Sequence, residues 1–476
     1  MKKFLIALMI FASSTVYAAD SEVVSLNLAE SIELALKNNQ TIAQSMEDRE
    51  IARWRYKNAR RQSGATFSYN FSGRRYGQNA NGSKRIGNDF NNSLTLSIPI
   101  YQGGRLKNQR LQSKYALDSA ELTLEDTKQA IKLQTTQAYY EILRCRDMMK
   151  VREEEVNALQ EHLNKSMIRY REGVVAKSDI LASTVSLADA KQNYVTARGN
   201  YEKSLADLNN IIGLPTETPL LIRDETNYTT YEPTEESCVE YALENRPDYF
   251  SAEYAIKQAE AAIKIAESGR KPRVDASISK TAEGDRIFKA DSRSWQAGLT
   301  LQWNIFDNGV TSASVNEMRA QLRKYQSVAT QIADSIRLEV HNDYIDLRTA
   351  EENIATTKIA VARAEEDYHL AQIRYVEGVG LNLEVIDAQE RLTQARTNYF
   401  SAFYSYYVAK ASLEKAMGVP IDIDVPSYIS EQRLYNGMAE ISCDAGRILF
   451  DAGFRNGRGG KIGRTGQTAD LFGIRL

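Results

Sequence analysis

The 476-residue sequence is poor in cysteine and proline. Its cysteines are odd in number and widely separated, which is typical neither of a disulfide framework nor of a metal-binding motif. They are Cys145, Cys238 and Cys443. Only eight prolines interrupt the chain, and because proline breaks helices, this scarcity favours long helical segments.

Residues that could carry catalysis are also scarce. The sequence has three histidines, which are far apart on predicted helices and which we interpret as surface residues. They are His162, His341 and His369. No glycine-rich phosphate loop, HExxH, GxSxG or paired-cysteine motif occurs in the sequence. We therefore predict that the protein is not an enzyme and that it uses no cofactor and no bound metal.

The sequence lacks an excess of either charge and lacks long apolar runs after its start. Lys plus Arg number 60 against 62 for Asp plus Glu, a net charge of −2, which argues against a nucleic-acid partner. The opening stretch MKKFLIALMIFASSTVYAAD predicts a secretory signal peptide over residues 1–18. No later run of about 18 apolar residues occurs, so we expect no transmembrane helix. Such an exported chain is soluble, peripheral or a β-barrel.

The same sequence pattern occurs twice, about 205 residues apart. RYREGVVAKSDIL begins at Arg169 and RYVEGVGLNLEVI begins at Arg374, while GLP at Gly213 is matched by GVP at Gly418. We interpret this as an internal duplication, with further domain boundaries set by composition. The predicted segments are a first repeat (19–215), a linker (216–232), a second repeat (233–420) and a glycine-rich extension expected to be disordered (421–476).

The sequence of each repeat predicts two short helices, two strands, one very long helix and a return helix. The second short helices are predicted over 40–63 and 247–270. The long helices run from Arg105 to Arg171 and from about Thr311 to Val376, and each would be about 100 Å long. Large residues recur every seven positions along the return helices, with small residues between them. The large residues of the first return helix are Ile180, Leu187, Tyr194, Tyr201 and Leu208. A generic coiled coil explains this pattern equally well, so it indicates helix packing and not function.

Four strand segments alternate between an apolar face and a face of small polar residues. The fourth has the apolar set Trp295, Ala297, Leu299, Leu301, Trp303 and Ile305. This alternation matches strands that cross an outer membrane, although the edge of a soluble sandwich is the alternative. Four strands cannot close a barrel, and open edges in lipid leave amides unpaired, so several chains would have to share one barrel. The polar stretches GQNANGSKRIGND and TAEGDRIFKADS predict wide hairpin turns.

Glycines mark both ends of the long helices. The EGV motifs at Glu172 and Glu377 predict hairpin tips, because glycine permits the left-handed turn that ends a helix. At the other end, the strands are predicted to stop pairing and turn into helices. The residues expected at these strand–helix junctions are Pro99, Gly103, Gly104 and Gly309.

These features together resemble the TolC family of outer-membrane efflux and secretion ducts. The duplicated halves, the PIYQGG junction, ENRPD at the start of the second half and the paired RYxEGV tips carry the resemblance over nearly the full mature length. It implies a mainly α fold with a small β part, a long antiparallel coiled-coil barrel and four membrane strands per chain. Three chains would share a twelve-stranded barrel in the outer membrane, with the helices extending into the periplasm.

The resemblance also implies a role and partners. The protein would be a homotrimer and the exit duct of a tripartite efflux pump or a type I secretion system, contacting outer-membrane lipid. Its partners would be a periplasmic adaptor (membrane fusion) protein and an inner-membrane pump or ABC exporter. The alternative is a secreted or periplasmic soluble coiled-coil protein with a structural or adhesive role. Long helices are compatible with the duct and with this alternative, whereas the strands and junctions fit only the duct.

The hairpin tips are the functional sites that the resemblance implies. The periplasmic gate would be formed by Ser178, Asp179, Tyr375, Glu384 and Asp387, and the adaptor would dock on Gly173, Val174, Gly378 and Val379. Glu384 and Asp387 share a helix face, so a trimer would hold acidic rings that favour cations and could hold a divalent ion. Helix capping is the alternative role of Asp179 and Glu384. Gly380 stands where some relatives carry an arginine that locks the gate.

Overall fold

The computed structural model describes residues 24–80, 83–224, 226, 228–287 and 289–421. The predicted signal peptide lies outside these residues, as does the C-terminal extension beyond residue 421. The chain divides into two units, Met1–Pro420 and Ile421–Leu476, and the description that follows concerns the first.

The helices of the described residues repeat in the same order in each half. The first half contains α1 (Leu28–Asn38), α2 (Gln40–Arg61), α3 (Arg105–Arg171) and α4 (Lys177–Ile212). The second half contains α5 (Glu235–Asn245), α6 (Pro247–Glu267), α7 (Val310–Val376) and α8 (Asn382–Ala416). Helices α3 and α7 have 67 residues each, so the two predicted long helices are confirmed to within one residue. No helix in the described ranges is both long enough and apolar enough to cross a membrane.

The short first helix of the first half is defined by its capping residues. Asn27 Oδ1 accepts a hydrogen bond of 2.8 Å from the backbone N–H of Glu30, and Glu30 Oε2 accepts one of 2.9 Å from the N–H of Asn27. This reciprocal pair satisfies two donors that a helix start leaves free. Asn39 then ends α1 and caps α2, so the chain turns between the two helices without a loop.

The main sheet joins the two repeats. It contains β2 (Thr66–Ala80), β3 (Ser83–Gln102), β5 (Arg273–Gly284) and β6 (Ser292–Gln302), all antiparallel, in the order β2-β3-β5-β6. The two hairpins meet through β3 and β5, so β2 and β6 are edges with one neighbour each in this chain. A second, smaller sheet pairs β1 (Val24–Leu26) in parallel with β4 (Leu220–Ile222), which lies in the predicted linker.

Two predictions about the strands are wrong. The stretch GQNANGSKRIGND is not a wide turn, because β2 continues to Ala80 and β3 begins at Ser83 in unbroken register. Backbone pairing does not require apolar side chains, so a polar sequence could not show where the strands end. Trp303 and Ile305 lie beyond β6, which ends at Gln302 opposite the first residue of β5 and has no partner strand afterwards.

The buried core lies where the long helices pack together, away from the sheet. Its largest fully buried aliphatic side chains include Ile142 and Leu143 of α3, Leu208 of α4, Leu347 of α7 and Leu413 of α8. Two smaller clusters continue toward the hairpin tips, each between one long helix and its return helix. They contain Leu159, Leu163, Leu187 and Ala190 in the first hairpin and Ala371, Tyr375, Val385 and Ala388 in the second.

Candidate functional site: hairpin tips and junctions

The two hairpin tips have the same backbone geometry. Gly173 and Gly378 follow the long helices with φ values of 76° and 77°, in the left-handed region that glycine adopts most easily. In each tip the next valine donates to the carbonyl of the repeated arginine: Val174 to Arg169 at 2.9 Å and Val379 to Arg374 at 3.0 Å. Val174 and Val379 are exposed, so the residues expected to contact an adaptor lie on the surface.

The expected gate acids lie at the starts of the return helices. Asp179 is in the first turn of α4, beside the exposed Ser178, and Glu384 is in the first turn of α8. Neither helix has a side-chain hydrogen bond at its N-cap, and an acid in the first turn is favoured there by the helix dipole. Glu384, with Oε2 4.0 Å from Arg374, and Asp387 are partly exposed on α8.

Tyr375 does not project into solvent at the tip. Its side chain is buried, and its hydroxyl lies 2.9 Å from Ser166 Oγ of α3. The guanidinium of Arg169 lies 4.8 Å from the centre of the Tyr375 ring and donates to the carbonyls of Tyr375 and Val376, the latter at 2.8 Å. Tyr375 and Arg169 therefore join the end of α7 to α3.

A buried polar group, which sequence reasoning missed, lies between the hairpins. His162 is 5% exposed, and its Nε2 lies 2.7 Å from Asn382 Oδ1 at the start of α8. The interpretation of His162 as a surface residue is therefore wrong. A usable signal was its spacing: His162, Ser166 and Arg169 are four and three residues apart, hence on one face of α3.

Gly380 lies where the backbone of the second tip passes close to the end of α7. A Cβ at this position would lie 2.9 Å from the Cβ of Arg374 and 3.0 Å from its carbonyl carbon. A larger residue would have to move the last turn of α7, so this tip has no room for a side chain at residue 380. Any closure must use other residues.

The strand–helix junctions depend on the predicted glycines. Gly103 and Gly104 have φ values of 64° and 88°, and Gly309 has 84°. At Gly103 a Cβ would lie 2.9 Å from the Cβ of Lys271, so the close approach as well as the dihedral requires glycine. Within the predicted junction, Pro99 still pairs with β5: β3 shifts register between Pro99 and Tyr101, and the pairing ends at Gln102, directly before Gly103. Because the register shifts at this point, the pairing with β5 does not require a backbone N–H from Pro99, which proline lacks.

The arginine of the ENRPD motif ties the second half together. Arg246 donates to Asp248 at 2.7 Å, to Glu339 of α7 at 2.5 Å and to the carbonyl of Ala416, the last residue of α8, at 3.1 Å. Burial alone would raise the pKa of Asp248 and Glu339, but the hydrogen bonds and charge of Arg246 outweigh burial and lower both. The motif is therefore an anchor between helices.

Solved structures share this fold, and known protein sequences are similar to this chain. The Campylobacter jejuni CmeC outer membrane channel matches with a TM-score of 0.71 and 19% identity, over 85% of this chain and 88% of that chain. The outer membrane protein TolC of Escherichia coli is 22% identical over 68% of this chain and 69% of its own length. The toluene efflux pump outer membrane protein TtgC of Pseudomonas putida is 23% identical over 68% and 69%.

The fold is thus that of the outer-membrane channels. The family model described as outer membrane efflux protein matches residues 31–214 and 238–419, and the chain belongs to that family. The resemblance to TolC inferred from the sequence is confirmed, as is the outer-membrane location. This is a family of channel proteins and not of enzymes.

Proposed function

We propose that three copies of this chain form the outer-membrane exit duct of a tripartite efflux pump. A periplasmic adaptor protein and an inner-membrane pump would dock on the hairpin tips, and their docking would open the duct. The efflux role follows the family and relatives such as the toluene efflux pump protein TtgC. The alternative of a soluble coiled-coil protein is not supported, because family and fold match outer-membrane channels.

The exposed sheet is the single observation that carries the proposal. Large apolar side chains of the strands lie open to solvent in this chain, among them Trp295 at 77% and Phe67 at 72% exposure. The edges β2 and β6 also keep unpaired backbone groups on one side. Lipid would cover such side chains, and neighbouring copies would pair the edges, because unpaired amides in hydrocarbon cost several kcal/mol each. A barrel shared by three copies satisfies both requirements.

The tips are proposed as the gate and docking site. The sheet precedes α3 and α7, and the tips follow them, so the tips lie at the end of the long helices opposite the sheet. Glu384 and Asp387 of three copies would surround the entrance and attract cations. Gly173, Val174, Gly378 and Val379 would form the adaptor-docking surface, because they are the exposed turns of the repeated motif. Ser178 and Asp179 would line the gate, and Tyr375 would act from its buried position.

Planar-bilayer recording tests the gate and the conduit together. The purified protein should conduct, and a divalent cation such as Mg²⁺ should block the current from the periplasmic side. Replacing Glu384 and Asp387 by alanine should weaken the block by about tenfold or more, because carboxylate oxygens are the ligands that hard cations prefer. The matched control is Glu236→Ala plus Glu240→Ala, which removes two exposed acids from α5. Unchanged block in the tip variant would remove both acids from the gate.

A further inference from the structure

We propose that His162 and Asn382 form a proton-responsive latch, which holds the two hairpin tips of a chain together and releases them as the pH falls. The inference rests on the proposed function, because the latch would act on the opening of the duct. It also supplies a closing contact at the tip where Gly380 leaves no room for an arginine.

One side chain of the second hairpin bonds to both helices of the first. Asn382 is buried at the start of α8. Its Oδ1 lies 2.7 Å from His162 Nε2 on α3, and its Nδ2 donates to the backbone carbonyl of Asp179 on α4 at 3.2 Å. Ser183 Oγ of α4 lies 3.2 Å from both atoms of the Asn382 amide. If the tips separate, these bonds break together.

The bonding pattern fixes the tautomer that a neutral His162 ring adopts in the latch. Because Nδ2 of Asn382 faces the Asp179 carbonyl, its Oδ1 faces His162 and can only accept. The ring must therefore carry its proton on Nε2 and donate. A second proton would go to Nδ1 and would place a full positive charge on a buried side chain, which is costly without a charged partner.

The charged groups near the ring do not favour a second proton on it. On α3, Lys165 opposes protonation, and Glu161 is already paired with Lys165 at 2.7 Å. Arg169 lies over the same Tyr375 ring that His162 contacts, with the His162 and Tyr375 ring centres 4.9 Å apart.

The facing elements supply no carboxylate bond to the ring among the described residues. From α4, Asp179 offers its backbone carbonyl to Asn382. From α8, Glu384 lies 4.0 Å from Arg374. From α7, Tyr375 uses its hydroxyl on Ser166. Burial therefore lowers the pKa of His162, Lys165 lowers it further, and the bond to Asn382 opposes them only in part.

The sign of the pH dependence follows from this difference. In an open tip the ring is hydrated and has the ordinary histidine pKa of about 6.5. Above that pH both states hold a neutral ring, and the latch keeps its full strength. As the pH falls below it, the open state binds a proton that the latched state resists. Between about pH 7.5 and pH 5.5, this linkage shifts the equilibrium toward opening by up to about tenfold per chain.

Bilayer currents of the full-length protein at these two pH values test the latch. The wild type should show a higher open probability at the lower pH. His162→Gln can donate the same hydrogen bond to Asn382 but cannot gain a charge, so its ratio of open probabilities at the two pH values should be near one. The control His341→Gln alters an exposed histidine on α7 that pairs with Glu235, and it should keep the wild-type ratio.

The outcomes separate the latch from the duct. A wild-type chain that conducts equally at both pH values would overturn the latch, as would a His162→Gln variant that keeps the wild-type ratio. A protein that passes no current at any pH, in any variant, would overturn the duct function and the latch with it. A pH response lost only in His162→Gln supports the latch, because a general structural defect would change the current without removing its pH dependence.

Discussion

Replacing Arg246 by methionine should destabilise the folded chain through the charges it leaves behind. The Arg246 side chain is 7% exposed and bonds to two carboxylates and one helix-terminal carbonyl. Methionine keeps much of the apolar stem but removes every donor. Because Asp248 and Glu339 are acids in a partly buried site, they would then face each other without their shared cation.

The expected magnitude follows from the burial of the two acids. Removing one partner of a fully buried ion pair costs about 3–5 kcal/mol. The side chains of Asp248 and Glu339 are 34% and 37% exposed, and Glu339 keeps a 3.1 Å bond to Lys415. Solvent and Lys415 therefore compensate part of the loss, and we expect about 2–3 kcal/mol in the free energy of unfolding.

The loss should also depend on pH. In the wild type the pKa values of both acids are lowered, so the stability they contribute is complete above about pH 4–5 and is lost as the pH falls through the lowered values. In Arg246→Met, burial is opposed only by the partners that remain, such as Lys415 beside Glu339, so the same pKa values should rise relative to the wild type. The difference in the free energy of unfolding between the wild type and Arg246→Met should therefore be largest near neutral pH and should decrease as the acids become protonated.

Urea unfolding in mild detergent, followed by circular dichroism at equal protein concentration, measures this gap. The control is Arg223→Met, which breaks an exposed pair with Glu30 and should cost less than about 1 kcal/mol. An Arg246→Met protein as stable as the Arg223→Met protein, or a gap that stays constant on acidification, would refute the reasoning.

Two further substitutions test the junctions and the core by the same unfolding assay. Gly103→Ala should lower the free energy of unfolding by about 1–3 kcal/mol, because alanine is strained at positive φ and its Cβ would meet Lys271. The control Gly309→Ala has open space around its Cβ and should cost less. Equal losses in the two variants would contradict the close approach at Gly103. Ile142→Ala should lower the free energy of unfolding by about 2–5 kcal/mol, because the side chain is fully buried. The control Leu181→Ala, on the exposed face of α4, should change it little. Similar losses in the two variants would place the core elsewhere.

The long helices were predictable because their signals are local. Glycine at both ends of α3 and α7, the scarcity of proline and the heptad pattern of α4 and α8 all act within a few turns of the chain. Leu187 and Leu208 of that pattern are buried in the structure, as are Val385 and Leu413, which lie a whole number of heptads apart on α8.

The missed features depend on partners that are distant in sequence. His162 is 220 residues from Asn382, so its spacing with Ser166 and Arg169 could place the three on one face of α3 but could not identify the partner that covers it. Arg246 bonds to Ala416, 170 residues away, and the ENRPD motif indicated only the start of the second half. The strand ends were missed for a similar reason: β6 stops where β5 offers no further backbone, which is a property of the pairing and not of the residues Trp303 and Ile305.

The central claim is that the open sheet edges of this chain are completed by identical copies. Native mass spectrometry of the protein extracted from outer membranes in mild detergent tests it most directly. The claim predicts a complex with the mass of three chains. A single chain, stable and folded at the same concentration, would contradict it, because β2 and β6 would then keep their unpaired edges without a partner.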